Sequence, residues 1–214
     1  MGIKKRIFDY KYKLLPNNFL AKLESKTNNI EDAMKYTGLS PGYPTWNFLY
    51  YSILCSLPKN EEVSIVETGT NRGASTIILA QALKDLNING RVHTIDIDSE
   101  VVKIAKKNLS KAGLINYVKF HVGDSRDILP TLTNENITFA FLDSEHDELL
   151  IKKEFDLIYP FIKKNKGTII FDNASEGGEA AKALKYIMKQ YGGNLIKFDN
   201  CSWSPPGIAI WQDN

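Results

Sequence analysis

The sequence has little cysteine and almost no charge imbalance. Its two cysteines, Cys55 and Cys201, lie too far apart for a disulfide framework or a zinc-binding pattern. A formal net charge of +2 on 214 residues excludes a surface that is basic throughout, so we expect no nucleic-acid partner. No apolar run approaches the roughly 20 residues of a membrane-spanning helix, so we expect no transmembrane segment and a cytoplasmic protein.

The composition that remains is that of a globular protein, with 43% hydrophobic and 24% charged residues. Positive charge is concentrated at the start, because residues 1–30 contain seven basic and two acidic side chains. We predict an N-terminal helical extension or cap over residues 1–58 and one larger domain over residues 59–214. The basic segment could pack on that domain, contact a partner or a membrane surface, or join two copies in a homo-oligomer.

From residue 63 onwards, short apolar runs alternate with stretches of helical periodicity. The predicted strands are Val63–Glu67, Arg91–Asp96, Val118–Val122, Ile137–Asp143, Thr168–Asp172, Leu195–Phe198 and Ile208–Trp211. Helices are predicted over Gly73–Leu86, Glu100–Ala112, Asp147–Pro160 and Glu176–Tyr191. This pattern predicts an α/β fold with a doubly wound, seven-stranded, mostly parallel sheet of the Rossmann-like kind. No helix separates the final two strands, so the last strand is expected to run antiparallel.

Three successive strand ends carry residues suited to a nucleoside. A loop with two glycines, ETGTNRGAS over residues 67–75, follows the first strand but has neither the phosphate-loop nor the dinucleotide spacing. Asp96 ends the second strand, where an acid can accept both hydroxyl protons of a ribose. Asp124 and Ser125 follow the third strand, where they can meet an adenine edge. Each feature alone is more typical of a turn or a helix cap, but together they predict a nucleoside-type ligand.

Acidic residues also follow the fourth and fifth strands. Asp143 ends one, and Asp172 with Asn173 ends the other. If the strands are neighbours, these side chains meet at one edge of the sheet. Carboxylate and amide oxygens are hard ligands suited to Mg²⁺, Mn²⁺ or Ca²⁺. The alternative is that both aspartates cap the helices that follow.

These motifs resemble the successive motifs of class I S-adenosylmethionine-dependent methyltransferases, over about residues 60–213. The resemblance implies that the cofactor is S-adenosylmethionine, that Asp96 holds its ribose, and that Asp124 and Ser125 border its adenine. Asp143 would border both the cofactor and the ion. Glu67, Gly69 and Gly73 are implied to shape the methionine pocket, and Thr70 and Ser75 are further expected cofactor-binding residues.

The acidic strand ends are similar to those of the metal-dependent O-methyltransferases, which include catechol O-methyltransferase. That resemblance implies a magnesium site at Asp143, Asp172 and Asn173. Catechol-type enzymes place a lysine base three residues beyond the first ligand, whereas this chain has His146. An Asp-x-x-His arrangement resembles methyltransferases of sugar hydroxyls, in which the histidine is the base.

We therefore expect metal-assisted O-methylation of a small hydroxylated molecule, in particular a sugar or glycoside, with His146 as the catalytic base. Catechol or phenol methylation is the first alternative. A non-catalytic S-adenosylmethionine-binding protein acting through its basic N-terminal segment is the second. An iron hydroxylase would need two histidines beside a carboxylate, and only His146 is expected near this edge of the sheet.

Overall fold

The computed structural model describes residues 17–20, 45–58, 61–145, 147–176, 178–199 and 207–214. Its helices are α1 Thr45–Ser56, α2 Ala74–Leu86, α3 Ser99–Lys111, the short α4 Ser125–Ile128, α5 Glu148–Asn165 and α6 Glu179–Tyr191. Its strands are β1 Val63–Thr68, β2 Gly90–Asp96, β3 Val118–Val122, β4 Ile137–Leu142, β5 Thr168–Asp172, β6 Asn194–Phe198 and β7 Ile208–Gln212. None of the helices in these ranges is long and apolar enough to span a bilayer.

The seven strands form one sheet in the order β3-β2-β1-β4-β5-β7-β6. The first five of these strands are parallel, and β7 runs antiparallel to both of its neighbours. The predicted doubly wound sheet with an antiparallel last strand is confirmed. The chain moves from β1 outwards to β3 and then returns to place β4 on the other side of β1. The strand order therefore reverses between β1 and β4, which is where open α/β sheets bind their ligands.

Alternate residues of the central strands enter two apolar clusters, one on each face of the sheet. Ile65 of β1 packs with residues of α1, α2 and α3, whereas the adjacent Val66 packs with residues of α5 and α6. Strands β1 and β4 are buried along their whole length. Burial on both faces explains why these strands read as continuous apolar runs in the sequence.

Part of the chain before β1 also packs on the domain. Leu20 is fully buried in the same apolar cluster as Ile53 of α1. The side-chain amide of Asn17 donates to Oε1 of Gln81 at 2.8 Å, which joins residues 17–20 to helix α2. The described parts of the predicted extension therefore contact the face of the sheet that α2 covers.

Two predicted helix boundaries are wrong. The helix predicted to end at Pro160 continues to Asn165, and the helix predicted to begin at Glu176 begins at Glu179. A proline removes one backbone donor from a helix, but Pro160 is exposed and the apolar stripe continues past it through Ile162. The free energy gained by burying that apolar stripe exceeds the cost of the backbone hydrogen bond that Pro160 cannot form.

Candidate active site

The glycine loop turns at the carboxyl end of β1. Gly69 has φ +89° and Gly73 has φ +87°, a region that L-residues with a Cβ atom rarely adopt. The amides of Gly69 and Thr70 both donate to the carbonyl oxygen of Ile95, at 2.9 and 3.2 Å. The loop is thereby joined to the end of β2, and its backbone faces the space above β1 and β4.

Asp96 links the glycine loop to the end of β2. Its Oδ2 accepts a hydrogen bond from the amide of Asn71 at 2.7 Å, and its Oδ1 accepts one from the amide of Asp98 at 2.9 Å. The helix that follows is capped by Asp98, so Asp96 is not its cap. Two donors fix the orientation of the half-buried Asp96 carboxylate, which retains lone pairs towards the pocket.

Glu67 lies beneath the loop on the α2 face of the sheet. Its side chain is fully buried, and Oε2 accepts hydrogen bonds from the hydroxyls of Thr76 at 2.5 Å and Thr94 at 2.6 Å. Burial raises the pKa of Glu67 to about 7, although hydrogen bonds from Ser75, Thr76 and Thr94 oppose this shift. The carboxyl group of Glu67 therefore joins β1 to α2 and β2 next to the glycine loop.

The end of β3 supplies Asp124 and Ser125. Asp124 caps the short helix α4 and pairs with the guanidinium of Arg126, whose hydrogen bonds lower the pKa of Asp124 to about 2. Ser125 is buried and donates to Oε1 of Glu154 at 2.6 Å. Asp124 thus stays ionised at any physiological pH, beside a paired arginine.

Asp143 and Asp172 lie side by side, because β4 and β5 are adjacent parallel strands. Their carboxyl groups are within hydrogen-bonding contact, and burial followed by repulsion from Asp172 raises the pKa of Asp143 well above its usual value. Neither aspartate caps a helix, since α5 is capped by Asp147 and the N-cap of α6 is Gly178. The capping alternative for this pair is wrong.

These strand ends surround one pocket of about 840 Å³, which is within the range of small-molecule sites. Most of the predicted site residues line it, namely Gly69, Thr70, Ser75, Asp96, Asp124, Ser125, Asp143, Asp172 and Asn173. Glu67 and Gly73, which were also expected to shape the cofactor pocket, do not line it. His146 is outside the described residues, although Glu145 and Asp147 on either side of it border the pocket.

Glu154 is a site residue that the motifs did not predict. It is a fully buried residue of α5, and its carboxylate accepts hydrogen bonds from three hydroxyl groups at the pocket. A signal for it was present in the sequence. Glu154 falls within the apolar helical stripe formed by Ile151, Phe155 and Ile158, where an acidic side chain is out of place unless it has polar partners.

His93 and His121 lie away from the pocket. Their rings stack on one face of β2 and β3, with Nδ1 of His93 3.2 Å from Nε2 of His121. Nε2 of His93 is 3.2 Å from Oε2 of Glu135, which also accepts a hydrogen bond from Ser64 at 2.8 Å. Burial lowers the pKa of His93 to about 4, and burial also lowers the pKa of His121.

Comparison with known proteins identifies the family of domains that contains this pocket. Residues 66–174, which include every strand end described above, match the family model described as a methyltransferase domain. The chain belongs to this family. The matched segment begins in β1 and ends two residues beyond β5, so it contains the whole pocket together with helix α5.

The chain is similar to curated proteins that are O-methyltransferases by name. The chain is 38% identical over 85 residues to a catechol O-methyltransferase of Niastella koreensis, which is 38% of this chain and 37% of that protein. It is 27% identical over 150 residues to a putative caffeoyl-CoA O-methyltransferase of Arabidopsis thaliana, covering 69% of this chain and 63% of that protein. The matches thus span about a third to two thirds of the relatives' lengths.

Solved structures share the fold over nearly the whole chain. An O-methyltransferase from Streptomyces achromogenes, crystallised with S-adenosylmethionine, has a TM-score of 0.70 and 20% identity over all of both chains. An O-methyltransferase from Bacillus cereus, crystallised with S-adenosylhomocysteine, has a TM-score of 0.70 and 19% identity over 98% of this chain and 97% of that chain. At these identities the likeness establishes a shared fold.

Proposed function

We propose that the protein is an S-adenosylmethionine-dependent O-methyltransferase that acts on a small hydroxylated molecule with the help of a divalent cation. The observation that carries this proposal is the convergence of the oriented Asp96 carboxylate and the Asp143–Asp172 pair on one pocket. The position of Asp96 supports binding of a ribose, and the backbone of the loop at Gly69 leaves room for the cofactor's methionine portion. The cofactor supplies a methyl group on a sulfonium.

The acidic pair fits a hard divalent cation. Asp143 and Asp172 present two carboxylates within contact, and Asn173 adds an amide at the same edge of the pocket. Within the described ranges, no set of three or more His, Cys, Asp or Glu side chains is arranged to hold a metal, so the proposed ligands are two carboxylates and one amide. Such a set leaves positions for acceptor oxygens and water, as Mg²⁺ prefers. A bound cation would lower the pKa of an acceptor hydroxyl.

Within this proposal the chain's own residues orient the acceptor and remove its proton. Asp143 and Asp172 would hold the cation at the edge of the pocket where the acceptor oxygen binds. His146 is proposed as the base, on the segment that follows Asp143. A neutral imidazole suits an alcohol whose proton is removed as the methyl group arrives. His146 in place of the lysine of catechol-type enzymes favours a sugar hydroxyl, whereas the names of the curated relatives favour a phenol.

A methyl-transfer assay tests the function and separates the two acceptor classes. Purified protein with methyl-labelled S-adenosylmethionine would be incubated with a panel of sugars, glycosides, catechols and hydroxycinnamoyl thioesters, in Mg²⁺ or in excess chelator. We expect transfer to at least one hydroxylated acceptor and loss of transfer in chelator. Full activity in chelator would contradict the metal role, and label transfer to nitrogen or carbon acceptors alone would contradict O-methylation.

A further inference from the structure

Glu154 joins three separate walls of the pocket. Its Oε2 accepts hydrogen bonds from the hydroxyls of Thr68 at 3.1 Å and Ser144 at 3.0 Å, and its Oε1 accepts one from Ser125 at 2.6 Å. Thr68 ends β1, Ser125 follows β3 and Ser144 follows β4 directly after Asp143. All three hydroxyl-bearing residues line the pocket, so the Glu154 carboxylate lies one side chain behind its surface.

Burial raises the pKa of Glu154, so a cation bound nearby would favour its charged form. Neither Glu154 nor Glu67 forms a salt bridge with a described lysine, arginine or histidine. The two buried carboxyl groups lie on opposite faces of β1, Glu67 beneath α2 and Glu154 on α5. A pocket bordered in this way is suited to a positively charged occupant, because a nearby charge offsets part of the cost of burying a carboxylate.

Hydrophobic packing alone does not require an acid at this position. The neighbouring members of the buried helical face are apolar, and a leucine or methionine of similar volume would continue that face. A fully buried carboxylate costs stability unless its oxygens are satisfied, and here each oxygen accepts at least one hydroxyl hydrogen bond. The hydrogen bonds, and not apolar packing, therefore account for an acid at this position.

We propose that Glu154 is a positioning residue that fixes three walls of the cofactor pocket and makes the pocket prefer a cationic sulfonium to a neutral thioether. This inference rests on the proposed function, since it concerns S-adenosylmethionine and its product S-adenosylhomocysteine. The two molecules share adenosine and the amino-acid portion, and they differ in the charge at sulfur. A charge behind the pocket wall favours the substrate form and thereby assists release of the product.

Calorimetry with both cofactor forms at pH 8 tests the proposal. Glu154→Gln keeps the volume and removes the charge, so we expect the preference for S-adenosylmethionine over S-adenosylhomocysteine to fall roughly three- to thirtyfold, the effect of one partly screened charge. Glu154→Asp should restore the preference while weakening both ligands alike. Asp156→Asn is the matched control on the same helix, because Asp156 accepts a hydrogen bond from Tyr191 away from the pocket.

A second variant tests the proposal even if Glu154→Gln does not fold. Ser125→Ala combined with Ser144→Ala removes two of the three hydroxyl donors, which disfavours the charged carboxylate, so the same preference should fall. If both ligands weaken equally in these variants, or if neither variant changes the ratio, the inference is wrong and Glu154 is only structural. If the wild-type protein binds neither ligand, the proposed function fails as well, which distinguishes the two failures.

Discussion

The α-carbon of Gly69 packs directly against the peptide carbonyl of Asp143. A Cβ atom on Gly69 would lie 2.6 Å from the carbonyl carbon of Asp143, and the amide of Asp143 donates to the carbonyl oxygen of Thr68 at 3.1 Å. The loop expected to hold the cofactor and the residue expected to hold the cation are therefore in contact. Their distance is set by backbone atoms, which adjust less readily than side chains.

Replacing Gly69 with alanine should damage both folding and cofactor binding. The new methyl group would overlap the Asp143 backbone, and alanine at φ +89° is strained, so we expect a loss of about 3 kcal/mol or more in the free energy of unfolding. Denaturant unfolding and calorimetry would measure the two effects.

Gly113→Ala is a matched control for this variant. Gly113 also has positive φ, at +72°, but an added Cβ atom would have nothing within 4 Å. We expect a cost of only about 1–2 kcal/mol from backbone conformation and an unchanged cofactor affinity. Equal effects of the two substitutions would contradict the close packing of Gly69 on Asp143.

Much of this site could be predicted because the strands are continuous apolar runs whose ends are marked by polar residues. That pattern placed Asp96, Asp143 and Asp172 at the carboxyl ends of parallel strands, and adjacency of β4 and β5 brought the last two together. The hydrogen-bond partners of Glu67 and Glu154 could not be predicted in the same way. The roles of these two glutamates depend on hydroxyl partners up to 86 residues away in the chain, which only the packed fold brings together.

The predicted helix boundaries are wrong where local sequence preferences compete with tertiary packing. Pro160 normally indicates the end of a helix, but burial of Ile158 and Ile162 on the sheet carries α5 onward to Asn165. The alternative in which strand-end aspartates cap the following helices is also wrong for Asp96 and Asp143. The caps of α3 and α5 are Asp98 and Asp147, which lie two and four residues further along the chain. Asp96 and Asp143 are thus left for the pocket, whereas Asp124 both borders the pocket and caps α4.

Asp172→Asn should remove ion binding while S-adenosylmethionine binding is retained. The variant keeps the shape of the side chain but reduces the charge of the proposed ligand set by one. We expect Mg²⁺ or Mn²⁺ to raise the thermal midpoint of the wild-type protein and to leave that of the variant unchanged.

The matched control for ion binding is Asp147→Asn. Asp147 also borders the pocket, but its carboxylate accepts from the amide of Leu150 and caps α5. This control should keep the helix cap, because asparagine caps helices about as well as aspartate, and it should keep the response to the ion. An ion-induced shift of equal size in Asp172→Asn would exclude Asp172 as a ligand.

His146 stays a prediction from the sequence and is tested by kinetics. We expect His146→Ala to lower kcat by roughly 10²–10⁴-fold, the usual contribution of a positioned base, with cofactor and ion affinities almost unchanged. His146→Lys should retain activity only towards an acidic phenol, because an ammonium group is a poor base for a sugar alcohol. Near-normal kcat for His146→Ala on the true acceptor would exclude this base.

The buried His93 makes folding stability depend on pH. Burial holds its pKa at about 4, below the ordinary value of 6.5, so between these values the unfolded chain binds the proton and the folded protein does not. Its contribution is present above pH 6.5 and is lost as the pH falls towards 4, by about 3 kcal/mol.

The contribution of His93 is isolated by comparing how the free energy of unfolding changes with pH in the wild type and in a His93 variant. Glu67 acts in the opposite sense, because its raised pKa gives stability at low pH that is lost as the pH rises through about 7. Denaturant unfolding between pH 4 and 7 should therefore show that the stability of the wild type minus that of His93→Gln increases with pH, whatever the sign of either slope. Parallel curves would mean that His93 does not titrate as its burial indicates.

We expect the pocket at the ends of β1, β2 and β4 to bind S-adenosylmethionine through a ribose contact of Asp96. Calorimetric titration of wild type and Asp96→Ala tests this expectation most directly, with the exposed Asp127→Ala outside the pocket as the control. We predict one site per chain and a loss of roughly 1.5–3 kcal/mol in Asp96→Ala, a tenfold to hundredfold weakening, equal for S-adenosylmethionine and S-adenosylhomocysteine because both carry the ribose. Unchanged affinity in Asp96→Ala, or no binding by the wild-type protein, would contradict this expectation.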